Sequence, residues 1–332
     1  MTIVVAPDSF KGTYSALEVA TALAAGISDG GGRAMPLPVA DGGEGTFDAI
    51  CRSLAATALT VRAQNPWGEP ITATIGVAAD GTAVVEVAQA SGLTAGRNTP
   101  HDALAASTYG TGMVIAAAID RGAQHIMVAA GGSATTDGGA GAVRAIHDNG
   151  GLRGARITVL SDVTTRFLDA PQVFGPQKGA DPASIMLLEA RLNRLSVEYP
   201  RNPAGVPRSG AAGGLSGGLW AHFGADLVSG ADAVLDAADF DEHLKSAAAV
   251  VVGEGRLDSQ TGQGKIISAI LARVQKSGRR IPVVAVVGSV AADLGAYAEN
   301  FTDILIATDP AEMHQAGRKI ARLLNAGAPP EN

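Results

Sequence analysis

Short apolar runs that are each followed by a polar, glycine-containing loop recur near both ends of this chain. Such runs predict buried strands, and the helical patterns between them predict β–α alternation. Because strands that alternate with helices pair in parallel, we predict one five-stranded parallel sheet of the doubly wound type. Its strands are Ile3–Ala6, Met35–Ala40, Ala248–Val252, Pro282–Val287 and Asp303–Ala307.

The middle of the chain has a different pattern. Two runs, Thr72–Ala78 and Thr82–Ala88, flank the pair Asp80-Gly81, which predicts an antiparallel hairpin. The predicted fold class is therefore α/β, with a discontinuous Rossmann-like parallel-sheet domain and an inserted second α/β domain. The predicted boundaries give residues 1–57 and 244–332 to the first domain and residues 58–243 to the second, with the active site in the cleft between them.

Composition excludes several classes of protein. The chain has 332 residues, of which 46% are hydrophobic and 17% are charged, so it can bury a large core. The net charge of -7 without a basic block argues against a nucleic-acid partner. No apolar run reaches the roughly 18 residues of a membrane span, and the start of the chain has no basic leader, so we expect a cytoplasmic protein without a membrane partner.

The segment from Gly253 to Lys265 follows the predicted strand Ala248–Val252 and precedes a helical pattern. Glycines such as Gly253 and Gly255 let the backbone approach a ligand closely, and N–H groups at a helix N-terminus favour anions. The Walker A pattern requires Ser or Thr after the lysine, whereas Ile266 follows here, so we predict a phosphate-binding loop of another kind. The alternative is an ordinary βα turn. In this segment Arg256 and Lys265 add positive charge, and Glu254 and Asp258 add oxygens that could hold a metal or a hydroxyl.

Polar residues also follow the first two predicted strands. Asp8, Ser9 and Lys11 follow the first, and Asp41 and Glu44 follow the second within a glycine-rich stretch. The C-terminal ends of parallel strands form the edge where ligands bind. Since hard carboxylate oxygens suit Mg²⁺, we predict that Asp41 and Glu44 hold it. Alternatively, Asp8 caps a turn, Lys11 is solvated and Glu44 compensates a helix dipole.

The predicted second domain contributes further candidates. A Gly/Ser/Thr loop, Gly131–Gly139, lies between a predicted strand and a helix, so its hydroxyl and N–H groups can bind a phosphate or a carboxylate. The alternative is that its small residues allow tight packing. The candidate ligand-binding residues in this part are Gly131, Gly132, Ser133, Thr135, Asp162, Gln177 and Lys178.

Eight motifs, in this order along the chain, resemble those of the bacterial glycerate kinases of the sugar-acid catabolism type. They are APDSFKGT, PVADGGEGT, EVAQASGL, STYGTG, GGSATTDGG, VFGPQKGA, GAAGGLSGGL and GEGRLDSQTGQGK. The resemblance implies transfer of phosphate from ATP to D-glycerate, usually at the 2-hydroxyl, with ATP and Mg²⁺ as cofactors. It also implies two α/β domains, one of them Rossmann-like and discontinuous.

Two departures from the family affect the acceptor more than the phosphate sites. The chain passes from Asn149 almost directly to Leu152, where the family usually carries a longer segment, and Thr164 follows Asp162 closely where the family prefers an Asn-Pro turn. A kinase for another small hydroxy acid, or one that phosphorylates the 3-hydroxyl, therefore stays an alternative. A non-catalytic sensor of nucleotide or sugar acid is the alternative of another class, and a homodimer is compatible with the sequence.

Phosphoryl transfer requires positioning and charge stabilisation, which suggests roles for the candidates. We expect Lys11, Arg256 and Lys265 to neutralise phosphate oxygens, with Lys178 as a fourth cation. We expect Asp8 or Asp162 to accept or orient the hydroxyl proton. The predicted catalytic residues are Asp8, Lys11, Asp162 and Arg256. The predicted substrate- and phosphate-binding residues are Ser9, Gly131, Gly132, Ser133, Thr135, Gln177, Lys178, Gly253, Gly255, Asp258 and Lys265.

Overall fold

The computed structural model describes residues 2–93, 97–258 and 265–326. In these ranges the strands are β1 Thr2–Pro7, β2 Arg33–Pro36, β3 Thr57–Gln64, β4 Pro70–Val77, β5 Thr82–Glu86, β6 His125–Ala129, β7 Arg156–Ser161, β8 Asp226–Ser229, β9 Ala247–Leu257, β10 Val283–Val290 and β11 Asp303–Ile306.

The α-helices of the same ranges alternate with these strands over much of the chain. They are α1 Ala16–Asp29, α2 Thr46–Ser53, α3 Val87–Ser91, α4 Pro100–Ala105, α5 Tyr109–Asp120, α6 Ala140–Asp148, α7 Ala170–Phe174, α8 Pro182–Glu198, α9 Leu215–Phe223, α10 Gly230–Ala237, α11 Phe240–Leu244, α12 Lys265–Lys276 and α13 Pro310–Ala326. None of the helices described here combines the length and the apolar character needed to cross a bilayer.

The chain divides into two compact units. The first comprises the residues up to Asp41 and those from Ala231 on, and the second comprises Gly42–Gly230. Both boundaries lie earlier in the chain than the predicted ones at 57/58 and 243/244. Helix α2 therefore belongs to the second unit, and helix α11 belongs to the first.

The first unit contains a five-stranded sheet in the order β11-β10-β9-β1-β2, in which neighbouring strands pair in parallel. This confirms the predicted doubly wound sheet. Numbered within this sheet alone, the strand order is 2-1-3-4-5, which is the flavodoxin-like arrangement. The direction of winding reverses between β1 and β9, and ligands bind at the carboxyl ends of the strands beside such a switch point.

The central strands of this sheet are buried on both faces, as shown by the full burial of the neighbours Val4 and Val5 on β1. Helices α1 and α13 pack together on one face. The predicted capping box at the start of α1 is present, because Ser15 accepts from the Glu18 backbone and the Glu18 side chain accepts from Ser15. The ends of β1 and β9 are therefore held by a rigid core.

Strand β2 is shorter than predicted. It ends at Pro36, because Pro36 and Pro38 have no N–H group to continue a regular ladder. The N–H groups of Leu37 and Val39 still donate to carbonyl oxygens of β1, at 2.7 and 3.0 Å. The chain thus follows β1 towards its carboxyl end.

The second unit contains a six-stranded mixed sheet in the order β3-β4-β5-β6-β7-β8. The pairs β3–β4 and β4–β5 are antiparallel, and the remaining pairs are parallel. The predicted hairpin is present, although β5 ends at Glu86 because α3 begins at Val87. Ala78 donates to the carbonyl of Thr82, which leaves a three-residue loop with Gly81 at φ 85°.

Candidate active site

A pocket of about 410 Å³ lies in the first unit at the switch point of the sheet. The N–H of Asp8 donates to the carbonyl of Gly253 at 2.8 Å, so the chain segments that leave β1 and end β9 stay side by side. The pocket is lined by Asp8, Ser9, Phe10, Lys11, Thr13, Glu254, Gly255, Arg256, Gly288, Ser289 and Thr308. Of the predicted site residues, this pocket brings together Asp8, Ser9, Lys11, Gly255 and Arg256.

The carboxylates and the cations of this pocket differ in their exposure. Asp8 is 5% exposed and Glu254 is 7% exposed. Lys11 and Arg256 are exposed. The pocket therefore combines buried carboxylates with cations that are accessible to a charged ligand, an arrangement that suits a polyanion with a bound cation.

Both buried carboxyl groups hold their protons more tightly than usual. Burial, followed by the negative charge of Asp41, raises the pKa of Asp8 to about 7, although the Ser9 N–H and Lys11 act in the opposite direction. Burial, followed by the charge of Asp8, raises the pKa of Glu254 to about 8. The free pocket therefore favours neutral forms of these groups near neutral pH.

Two oxygens beside the pocket are buried and lack hydrogen-bond partners among the described residues. They are Oε1 of Glu254 and Oγ of Ser9. The N–H of Ser9, by contrast, donates to Oδ1 of Asp8 at 2.6 Å. Since buried polar atoms in proteins almost always have a partner, the lone Glu254 oxygen is a position where a proton or a ligand can bind. The sequence predicted that Glu254 and Asp258 offer oxygens that could hold a metal or a hydroxyl. It did not show that Glu254 is buried without a partner, because burial and pairing cannot be read from the motif.

The segment after Val252 differs from its prediction as a loop. Gly253–Leu257 continues β9, because these residues pair with β10 as far as Val290. A Cβ atom on Gly253 would lie 2.8 Å from the carbonyl oxygen of Val286, so this glycine is required by sheet packing rather than by ligand approach. Asp258 follows the strand, and Lys265 begins α12. The rest of the predicted phosphate loop, residues 259–264, lies outside the described ranges.

The two predicted metal ligands have different surroundings. Asp41 belongs to the first unit, is 5% exposed, and its charge raises the pKa values of Asp8 and Glu254. Glu44 belongs to the second unit, and its charge contributes to raising the pKa of Glu86, after burial and Asp48. In the described ranges, no three or more Asp, Glu, His or Cys side chains form a ready-made metal site.

A second pocket, of about 380 Å³, lies in the second unit at the carboxyl ends of β6 and β7. It brings together the predicted residues Gly131, Gly132, Ser133, Asp162, Gln177 and Lys178. Thr135 is buried beside this group and does not line the pocket. A Cβ atom on Gly131 would lie 2.9 Å from the Cα of Gly43, so the loop passes this backbone closely. The predicted phosphate or carboxylate loop thus lines a cavity.

Lys178 is a buried cation in this second pocket. It is 3% exposed, and its ammonium group donates to Oγ of Ser133 at 3.0 Å and to the carbonyl of Thr135 at 2.6 Å. Burial lowers the pKa of Lys178 to about 7, although the charge of Asp137 acts in the opposite direction. An anion in this pocket would stabilise the charged lysine.

The turn that carries Asp162 is held by a residue that sequence reasoning missed. One nitrogen of Arg208 donates to the carbonyl oxygens of Ser161, at 2.8 Å, and Val163, at 3.4 Å. Arg208 has a left-handed backbone with φ 67°, which is uncommon for this residue type. No specific signal in the sequence points to Arg208, because the Pro- and Arg-rich segment around it is typical of a surface loop.

The chain is similar to known proteins over almost its whole length. The sequence model of the glycerate kinase family matches residues 3–149 and 147–329. The chain is 36% identical to a glycerate kinase of Halalkalibacterium halodurans, over 93% of this chain and 91% of that protein. It is 35% identical to the glycerate 2-kinase of Escherichia coli, over 91% of this chain and 89% of that protein.

A solved structure agrees with these similarities. The fold matches the crystal structure of a proposed glycerate kinase 2 from Salmonella typhimurium LT2 with a TM-score of 0.84 and 33% sequence identity. The match covers 98% of this chain and 99% of that one. The resemblance of the motifs is thereby confirmed, and this chain belongs to the glycerate kinase family, a family of kinase enzymes.

Proposed function

We propose that the protein transfers the γ-phosphate of ATP to the 2-hydroxyl of D-glycerate, which gives 2-phosphoglycerate and ADP. Family membership supports the reaction class. The single structural observation that carries the proposal is the pocket at the switch point, where accessible Lys11 and Arg256 stand with buried Asp8 and Glu254. A polyphosphate that carries a cation complements this arrangement of charges.

The first pocket supplies the charge stabilisation that phosphoryl transfer needs. Lys11 and Arg256 would bind phosphate oxygens, and Gly255, which has no side chain, would let a ligand approach the backbone of the pocket closely. Asp258 and Lys265 complete the phosphate-binding set that we propose from the sequence. Bound Mg²⁺ neutralises phosphate charge. Asp41 and Glu44 are the ligands predicted from the sequence, and of these two Asp41 influences the buried carboxyl groups of this pocket. The negative charge of Asp41 would favour a cation beside Asp8 and Glu254.

The second pocket has the chemistry for a small hydroxy acid. The buried Lys178 would bind the glycerate carboxylate, because an anion there compensates a cation that water cannot reach. Gln177 and the loop from Gly131 to Thr135 offer further donors. Asp162 would accept or orient the proton of the reacting hydroxyl, with Asp8 as the alternative. A cytoplasmic location and a homodimer remain predictions from the sequence.

Another small hydroxy acid is the second candidate acceptor. The observation in its favour is the short connection between α6 and β7, where a glycine-rich turn follows Asn149 directly. The two matches to the family model also meet at this place, residues 147–149. A departure from the family in the unit that contains the second pocket bears on the acceptor rather than on ATP.

Incubation with Mg-ATP and D-glycerate, with the product identified by phosphorus NMR, tests the proposal. We expect 2-phosphoglycerate and ADP in equal amounts. Turnover only with a different hydroxy acid, measured in parallel, would replace the acceptor and keep the kinase. Saturable binding of ATP without turnover of any acceptor would instead favour a sensor and overturn the proposed function.

A further inference from the structure

Three carboxylates of the first unit lie close enough to influence one another. The negative charge of Asp41 raises the pKa of Asp8, and the charges of both residues raise the pKa of Glu254. All three residues are more than nine-tenths buried. Placing like charges together in a buried position is unfavourable unless something compensates them, so this cluster costs the fold stability.

The compensation within the described part of the chain is incomplete. The charge of Lys11 lowers the pKa of both Asp8 and Glu254, but burial and the neighbouring carboxylates raise these pKa values by more. Oε1 of Glu254 has no hydrogen-bond partner there although the residue is 7% exposed, and Oγ of Ser9 on the same pocket wall is also unpartnered. A buried carboxylate oxygen that lines a pocket and lacks a donor requires a proton or a cation.

A hard divalent cation fits these oxygens better than a protein donor does. Mg²⁺ is usually held by one or two carboxylates, while water and substrate phosphates complete its octahedron. The absence of a preformed three-ligand cluster among the described residues therefore agrees with Mg²⁺ rather than excluding it. Lys11 and Arg256 of the same pocket would hold the phosphates that share the ion.

The surroundings of Glu44 differ. Its charge adds to a separate acidic group in the second unit, with Asp48 and the half-buried Glu86. No carboxylate oxygen of that group is buried without a partner in the described ranges. The three-residue spacing between Asp41 and Glu44 in the sequence thus does not correspond to one shared environment.

We propose that Glu254, together with Asp8, holds the divalent cation of the reaction, and that Glu44 is not one of its ligands. Asp41 adds negative charge beside these two ligands. The role of the ion in phosphoryl transfer rests on the proposed function, but its binding site does not. Glu254 therefore keeps an unfavourable buried oxygen because the cation uses it.

The test compares Glu254→Gln with wild type in the full-length protein, with Mn²⁺ as a paramagnetic probe and Mg²⁺ in thermal melts. Glutamine keeps the shape and removes the charge. We expect the metal-free Tm of Glu254→Gln to equal or exceed that of wild type, because glutamine removes the cost of burying this carboxyl group without a partner. We also expect the Mn²⁺ affinity, measured by electron paramagnetic resonance, to fall by about tenfold or more.

Two further variants make the comparison specific. Glu44→Gln should keep the Mn²⁺ affinity of wild type, and so should Glu299→Gln, which removes an exposed carboxylate from the first unit. In wild type, Mg²⁺ should raise the Tm because it binds the folded state. Of the three variants, only Glu254→Gln should lose this Mg²⁺-dependent increase in Tm.

Three outcomes of the Mn²⁺ measurements would overturn the inference. They are unchanged Mn²⁺ affinity in Glu254→Gln, weakened affinity in Glu44→Gln, or no binding of Mn²⁺ to wild type with or without ATP. A lower metal-free Tm in Glu254→Gln would also contradict it, since the carboxylate would then have a structural partner. Intact metal binding without phosphoryl transfer would overturn the proposed function and leave the cation site in place.

Discussion

The ammonium group of Lys178 donates a 2.6 Å hydrogen bond to the carbonyl oxygen of Thr135, and a second bond reaches Oγ of Ser133. The buried cation is thus held by dipoles of the loop after β6 rather than by water. Because hydrogen bonds from a charged donor are stronger than those from a neutral amine, this loop is held more firmly when Lys178 is protonated.

This arrangement predicts a pH dependence of stability that Lys178→Met should remove. The pKa of Lys178 is about 7 in the folded protein, against an ordinary value of 10.5. Between these values the unfolded chain holds the extra proton, so the free energy of unfolding of wild type should rise with pH relative to the variant. Below about pH 7 Lys178 is protonated in both the folded and the unfolded protein. The difference in the free energy of unfolding between wild type and Lys178→Met should therefore not change with pH in this range.

Urea unfolding from pH 6 to about pH 9.5 measures this difference, with an m-value check at each pH. Lys276→Met, which alters an exposed lysine of α12, serves as the control. The difference in the free energy of unfolding between wild type and this variant should not change with pH. A wild-type minus Lys178→Met difference that stays constant above pH 7 would show that Lys178 remains charged in the folded protein.

The hydrogen bonds of Arg208 to Ser161 and Val163 predict that Arg208 acts on catalysis through Asp162. Arg208→Gln should lower kcat by roughly tenfold, because a displaced acid–base group loses its orientation towards the substrate. In an Asp162→Asn background the same change should have much less effect, since the group to be positioned is already inactive.

Arg201→Gln is the matched control for this prediction. Arg201 lies in the same loop region, but its guanidinium stacks on Trp220 at 3.8 Å. Its replacement should change stability slightly and kcat little. Equal losses of kcat for Arg208→Gln in the wild-type and Asp162→Asn backgrounds would contradict a role that depends on Asp162.

The parallel sheet of the first unit could be predicted because its strands are buried on both faces. Such strands appear in the sequence as continuous apolar runs, as in β1 and β10. The end of β9 could not be predicted in the same way. Its polar residues Glu254 and Arg256 resemble a loop, but pairing with β10 keeps them in a strand.

Part of the candidate site could also be predicted from topology. Asp8 and Arg256 are far apart in sequence, but carboxyl ends of parallel strands share one edge, and the first pocket contains both. The surroundings of Asp41 and Glu44 could not be predicted, because the boundary between the units passes between these residues. Burial and the missing partner of Glu254 depend on packing that no local pattern encodes.

Close packing of α1 against α13 predicts that Gly26→Ala destabilises the first unit. A Cβ atom on Gly26 would lie 1.9 Å from the carbonyl oxygen of His314, a backbone atom that cannot move without shifting the helix. Overpacking of this kind typically costs about 1–3 kcal/mol, which here outweighs the higher helix propensity of alanine. Chemical denaturation measures the loss.

Thr21→Ala on the exposed face of the same helix controls for general effects on α1 and should change the free energy of unfolding by less than about 0.5 kcal/mol. A neutral or stabilising Gly26→Ala would mean that the two helices separate readily, and that their contact contributes little to holding the sheet.

Lys11 and Arg256 are predicted to act on the transition state rather than on initial binding. Charge on the phosphate oxygens shifts during transfer, and fixed cations that match the later distribution lower the barrier. Lys11→Ala and Arg256→Ala should therefore each lower kcat by about 100-fold, with a smaller change in the KM for ATP.

Arg280→Ala, which removes an exposed cation from the same unit, should leave kcat near that of wild type. Steady-state kinetics with Mg-ATP and D-glycerate separate the two parameters. Losses below about tenfold in both pocket variants would remove these cations from the chemistry, because groups that stabilise developing charge have much larger effects.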